Sequence, residues 1–305
     1  MFNRLLYYAL LFPLSLLPLS VLYLFSSLFY VLFLTIFPYR RKVIRQNLKN
    51  SFPEKSEKEL KKIECAFYKH FSDLLIEGVK NFSISEKELK SRYRVANPEL
   101  MEELYKNGKS VLLVSGHYNN WEWLITAQNL LFTHQAVGIG MPLTSGFWDK
   151  KLNERRSRFG MKVIHSKIVK SFFEENRDLV STLVLSDQSP GDSKKAYWME
   201  FLNQPTAVLF GTEMLAHSYN HAVVFFHTNK VKRGYYEMEL QLITDSPKPL
   251  EWGEITERHT KLLETEIIKQ PAYWLWSHKR WKREIPENMP ELKAQQKAAF
   301  NVKFK

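Results

Sequence analysis

The sequence predicts an α/β fold, a mixed sheet flanked by helices, preceded by a membrane-spanning amino-terminal helix. Three observations carry this. From residue 108 onward, short apolar runs rich in Val, Ile and Leu alternate with helical patterns, the texture of a largely parallel sheet covered on both faces. Residues 5–37, "LLYYALLFPLSLLPLSVLYLFSSLFYVLFLTIF", contain no charged side chain, and roughly 20 apolar residues suffice to cross a bilayer. Between these segments lies a basic stretch with helix-start signals.

Taken in order, residues 1–38 are expected to anchor the chain. Pro13 and Pro18 would kink the run or split off a short first piece, with the spanning helix starting near Leu19. The run is too long for a cleaved signal peptide and lacks a small-x-small cleavage site. Arg4 alone precedes it, whereas Arg40, Arg41, Lys42 and Arg45 follow closely. The positive-inside rule then leaves the remainder on the cytoplasmic side. A single cysteine, Cys65, allows no intrachain disulfide, which suits that compartment. On an amphipathic helix it reads as a small hydrophobe.

Residues 39–107 form the basic juxtamembrane region. Ser56 with Glu59 makes a capping-box pattern, and Leu60, Ile63, Phe67, Phe71, Leu74 and Ile76 recur at helical spacing. Ser85 with Glu88 repeats the start signal; Asn97-Pro98 opens a further helix that Asn107-Gly108 closes. The balance of 44 basic to 32 acidic residues, a formal +12, implies a polyanionic partner: nucleic acid, an anionic membrane or an acidic carrier protein. Beside an anchor these lysines should attract anionic lipid, at about 1 kcal/mol per charge near the surface.

In residues 108–284, "SVLLVS", "QAVGIGMPL", "GMKVIH", "LVSTLVLSD", "HAVVFFHTN" and "YYEMELQLIT" read as strands. "NWEWLITAQNLLF", "GFWDKKLNERRSRF" and "TAVLFGTEMLAHSY" read as intervening helices. A long helix follows, broken at Pro271. The polar residues 285–305 lack periodicity and read as a loosely packed tail.

Active groups of open α/β sheets sit beyond the carboxyl ends of strands. His117 falls there, after "VLLVS" and just ahead of a helix beginning near Asn119 or Asn120. Glu122 lies in the first turn of that helix, from which its carboxylate can fold back on the imidazole and fix the tautomer. As a bare pair, the two read rather as a hydrogen-bonded strand-end histidine and a favourable first-turn acid.

The surroundings favour chemistry. "SGHYNNWEW" resembles the H-x4-[DE] block of the bacterial lipid A biosynthesis acyltransferases of the lauroyl/myristoyl type. "RRKVIRQNLKNSFPEKS" resembles the basic segment after that family's anchor, and "RRSRFGMKVI" its R-x-R segment, with Arg156 and Arg158. "VLSDQSP" resembles its aspartate block, with Asp187, and "FLNQPTAVLFGTEMLA" and "PAYWLWSHKRWK" its two carboxyl-terminal blocks. The resemblance covers nearly the whole chain. Two departures stand out: Asn119 where the family has glycine, and Phe201-Leu202-Asn203 in place of F-F-G.

The resemblance implies the fold of glycerolipid acyltransferases and transfer of a fatty acyl group from an acyl thioester to a hydroxyl of a lipid A precursor. It places the enzyme at the bacterial inner membrane, with acyl carrier protein as donor and no cofactor or metal. His117 would be the general base oriented by Glu122; an imidazole with an unperturbed pKa of roughly 6.5 suits the role. Arg156, Arg158, Asn120 and Asp187 would bind substrate, Arg156 meeting a phosphate or oxyanion and Asp187 orienting either Arg156 or an acceptor hydroxyl. A structural Arg156–Asp187 ion pair is the plain alternative.

Rival readings are weaker. Glycerolipid acyltransferases that acylate lysophospholipids carry N-H-x4-D and F-P-E-G-T, where this chain has Gly116, Glu122 and "LSDQSP". Glu213, His217 and His221 have zinc-like spacing, but a helix end between the histidines argues against a shared face. "WLWSHKRWKR" interleaves aromatics and bases as single-strand nucleic-acid binders do; beside a membrane an interfacial segment fits better, so no nucleic acid is expected.

Overall fold

A computed structural model describes residues 1–305. The amino-terminal elements are α1 (Phe2–Leu5), a π-helical turn (Leu6–Leu11), α2 (Phe12–Leu16), α3 (Leu19–Thr35), α4 (Arg41–Ser51), α5 (Glu57–Lys80), α6 (Glu86–Arg92), β1 (Tyr93–Val95) and α7 (Glu99–Lys106). Next come β2 (Val111–Ser115), α8 (Trp121–Leu131), β3 (Gln135–Gly140), α9 (Gly146–Arg156), β4 (Lys162–His165), α10 (Val169–Glu175) and β5 (Val180–Leu185). The chain ends with β6 (Tyr197–Phe201), β7 (Gln204–Val208), α11 (Gly211–Tyr219), β8 (Ala222–Lys232), β9 (Tyr235–Thr244), α12 (Glu254–Lys269) and α13 (Met289–Phe304).

Seven strands form one mixed sheet in the order β1-β9-β8-β2-β5-β3-β4, and β6 with β7 forms a separate hairpin. Central β2 runs parallel to both β5 and β8, and β8 is antiparallel to β9. Because side chains alternate across a strand, an apolar run buried on both faces must serve two cores. Val111 and Leu113 pack with Ile76, Trp123 and Leu124, while Leu112 and Val114 pack with Ile44, Leu48, Leu263 and Ile267. The mixed sheet flanked by helices matches the predicted class.

The predicted spanning helix is not there. Leu17 and Pro18 are both extended (ψ 151° and 145°), so the apolar run breaks where a proline disfavours helix in the residue before it. The longer piece, α3, has only 17 residues, and no helix of the protein is long and apolar enough to cross a membrane. Instead α3 lies along α5. Leu22 is buried, the Tyr23 hydroxyl donates to the Glu77 carboxylate at 2.7 Å, and Ser26 donates to Asp73 at 2.6 Å. Lys80 Nζ donates to the Ser15 and Leu17 carbonyls at 3.2 and 3.1 Å, fixing the proline break itself. The other side of the segment leaves Leu24, Leu28, Phe29 and Val31 exposed.

Three further expectations change. "TAVLFGTEMLAHSY" divides into the end of β7 and α11, so the helix starts only at Gly211. The tail is not loose: α13 packs Phe300 against Phe210 and His217 and Phe304 against His217, aromatic contacts in its last turns that the polar majority concealed. "WLWSHKRWKR" is not an interfacial segment, since Trp274 and Trp276 are buried in the core beneath the sheet edge.

Candidate active site

Parallel strands β2 and β5 are in register with Ser115 opposite Leu185. Continued two residues past both strand ends, that register sets His117 beside Asp187, and the side chains meet. His117 Nδ1 lies 2.6 Å from Asp187 Oδ1, and the His117 backbone N–H donates to Oδ2 at 2.9 Å. Trp274 gives its indole N–H to the same oxygen at 2.8 Å. Burial alone would raise the Asp187 carboxyl; His117 and these donors overcome it and hold it down at about 2. A carboxylate bound to Nδ1 requires the proton on that nitrogen, which leaves Nε2 with its lone pair. The Gln188 amide nitrogen, a donor, sits 3.2 Å from Nε2 and fits that tautomer. The imidazole side chain is 17% exposed, so solutes reach it.

Gly116 makes the approach possible. A Cβ there would lie 2.7 Å from Leu263 Cδ2 and 3.0 Å from Asp187 Cγ, so a side chain would press on both and shift the carboxylate that holds the imidazole. Asn119 takes the left-handed conformation (φ 52°). Asparagine suits the position, since with glycine it tolerates positive φ best. Its backbone N–H donates to the Tyr273 carbonyl at 3.0 Å, tying the histidine loop to the segment that carries Trp274. Leu202 and Asn203 (φ 50° and 59°) form the two-residue turn of the β6–β7 hairpin, the second departure and again a backbone requirement.

Glu122 does not orient His117. It begins α8 as expected, but its carboxylate binds Arg155 Nη2 and, at 2.7 Å, Arg156 Nη2 at the end of α9. Burial pushes this carboxyl up, and the two guanidinium groups outweigh it and hold it at about 2. Two arginines present stronger partners than one imidazole that Asp187 already holds. Arg156 is therefore not paired with Asp187. Arg158 donates to the carbonyls of Asn81 and Ile84 at 2.8 and 2.7 Å, clamping the turn after α5 with both of its terminal nitrogens. Asn120 is also committed: buried, it caps α8 through Trp123 N–H at 2.9 Å and donates to Glu77 at 2.6 Å. The zinc-like trio is dispersed, with Glu213 capping α12 through Gly253 and Thr256, and His221 standing edge-on to Phe173.

Beside the imidazole runs an apolar groove of about 310 Å³. Phe71, Leu74, Val79 and Phe82 line one wall, and Trp121 and Leu152 the other. Trp121 links it to the site, its ring standing edge-on 5.1 Å from the His117 ring. Gly78 lines the groove from inside α5, and a Cβ there would meet nothing within 4 Å. Sequence reasoning missed this groove, together with Arg155, Gln188 and the Trp274 bond. Arg155 and Gln188 are the immediate neighbours of Arg156 and Asp187, but their roles depend on which strands and helices end side by side.

Comparison with known proteins now bears on the arrangement. Residues 1–283 match the family model described as bacterial lipid A biosynthesis acyltransferase. The chain is 22% identical over 252 residues to the lipid A biosynthesis lauroyltransferase of Escherichia coli K12, covering 82% of this chain and 81% of that protein. It is 24% identical over 256 residues to a lipid A biosynthesis acyltransferase of Haemophilus influenzae, covering 83% and 81%. A match across this much of the chain settles its kinship: the protein belongs to the bacterial lipid A biosynthesis acyltransferase family and is an O-acyltransferase.

Proposed function

We propose that the enzyme moves a fatty acyl group from acyl carrier protein to a hydroxyl of a lipid A precursor, with His117 as general base. The acceptor hydroxyl takes the place of the Gln188 amide at Nε2. As its oxygen attacks the thioester carbonyl, its proton passes to Nε2 and a C–O bond forms. The tetrahedral intermediate then collapses, the C–S bond breaks, and the departing thiolate takes the proton back. Asp187 holds the ring and offsets the imidazolium charge between the two transfers, a role usually worth several powers of ten in rate. Arg156, held by Glu122 yet partly exposed, is the cation for the thioester oxyanion or an acceptor phosphate.

The observation that carries this reading is the 2.6 Å contact between His117 Nδ1 and Asp187, next to an apolar groove. The groove takes the acyl chain. The exposed apolar side of α1–α3 supports a protein lying on the inner membrane surface rather than passing through it, with the lysines of α4 nearby for anionic headgroups. The formal +12 charge also suits an acidic carrier protein. The test is transfer from a lauroyl carrier-protein thioester to a purified lipid A precursor. His117→Ala should abolish it while circular dichroism and vesicle binding stay unchanged; near-normal transfer would refute the base assignment.

A further inference from the structure

We propose that Arg280 is a positioning residue for acyl transfer: its buried guanidinium is the fixed counter-charge that keeps Asp187 aimed at His117. The inference rests on the His117–Asp187 reading above. After Pro271 the chain turns back under the sheet edge. Trp274 reaches Asp187, His278 Nε2 accepts the Ser189 backbone N–H at 3.1 Å, and Arg280 follows, only 2% exposed. Arg280 lines a small closed cavity with Ser115, Ser186, Asp187, His259 and Leu263. Its Nε and Nη1 are buried and meet no acceptor in the protein.

A guanidinium this deep is retained only where an opposite charge is close enough to offset its desolvation. Asp187 is the one carboxylate facing this cavity. The remaining titratable groups around the pair do not compete. His259, from α12, and His278, from the same returning segment, are pushed down by burial to about 3 and about 4, so both are neutral. Glu122, on α8, is already bound to two arginines. Burial pulls Arg280 down to about 10 and Asp187 draws it back up, so it stays charged at any working pH. Asp187 is thus bound directly by His117, which gains and loses a proton in each turnover, and faces across the cavity, beyond direct ion-pair distance, Arg280, which does not.

The test uses the full-length enzyme with a lauroyl carrier-protein thioester and measures kcat, KM and the pH–rate profile. Arg280→Met should lower kcat by about 10–100-fold, the usual cost of removing a supporting partner, with KM little changed. The acid limb of kcat/KM should move to higher pH, because a positive charge opposing imidazolium formation is gone. Arg280→Lys should recover much of the rate. Arg280→Met should add nothing in an Asp187→Asn background, since residues that act as one unit are not additive. A folded Arg280→Met enzyme with an unmoved acid limb, or losses that multiply with those of Asp187→Asn, would overturn the proposal. If Arg280→Met does not fold, Asp187→Asn/Arg280→Met decides: it folds if the two charges are partners and fails if Arg280 serves packing alone. Persistent transfer by His117→Ala would remove the underlying base assignment whatever Arg280 does.

Discussion

His117 has two carboxylates in its neighbourhood, and geometry divides their work. Asp187 binds the ring; Glu122 binds Arg155 and Arg156. Glu122→Gln should therefore act mainly through the arginines, destabilising the fold by about 3 kcal/mol, the lower range for breaking a largely buried pair, as read by thermal unfolding. Gly116→Ala should cost most of the activity with a folded protein, because the new methyl would displace Asp187. Both carboxyls are depressed in the folded state, to about 2 from ordinary values of 4.5 for Glu122 and 3.8 for Asp187. Their stabilisation is complete above roughly pH 4.5 and is lost as pH falls toward 2. Thermal midpoints should drop across that window, and less steeply in Glu122→Gln. The sequence made His117, Glu122, Arg156 and Asp187 legible as chemistry-bearing residues, yet their pairing was hidden. Glu122 is five positions from His117 and Asp187 is seventy, and only the adjacency of β2 and β5 brings the distant one nearer.

Elements were legible where local signals are strong. The capping box at Ser56–Glu59 starts α5, and Gly108 (φ 68°) ends α7 as Asn107-Gly108 suggested. The β6–β7 hairpin escaped because its turn uses Leu202-Asn203, without the glycine that marks such turns. Strand β1 has three residues and offers no alternation to read. The groove belongs to this scale too, since α5, α8 and α9 must come together to form it. Gly78 sits within α5 facing that open space, where a helix interior otherwise favours alanine by about 1 kcal/mol. Gly78→Ala should raise the thermal midpoint while leaving transfer of short chains intact. Gly78→Leu should fill part of the groove and shift the preferred donor toward shorter acyl chains, measured as relative kcat/KM over a thioester series. An unchanged preference would remove the groove from the acyl path.

For the whole molecule, the apolar amino terminus is the feature that composition described well and misassigned. It is apolar, but Pro18 and the polar grips of Glu77, Asp73 and Lys80 hold it along α5, and no helix in it is long and apolar enough to cross a membrane. Leu24→Ser/Leu28→Ser/Phe29→Ser should therefore weaken binding to anionic vesicles in a sedimentation assay without lowering the thermal midpoint, because these side chains are exposed. Sheet, exposed apolar side, groove and site then form one path, with Phe71 touching Phe33 of α3 on one side and lining the groove on the other. The most direct test of this account is the single-turnover rate of acyl transfer by Asp187→Asn, alone and combined with His117→Ala. Asp187→Asn should be slower by about 10³–10⁴-fold, and the double variant no slower than His117→Ala. An Asp187→Asn enzyme that transfers at close to the wild-type rate would contradict the central claim.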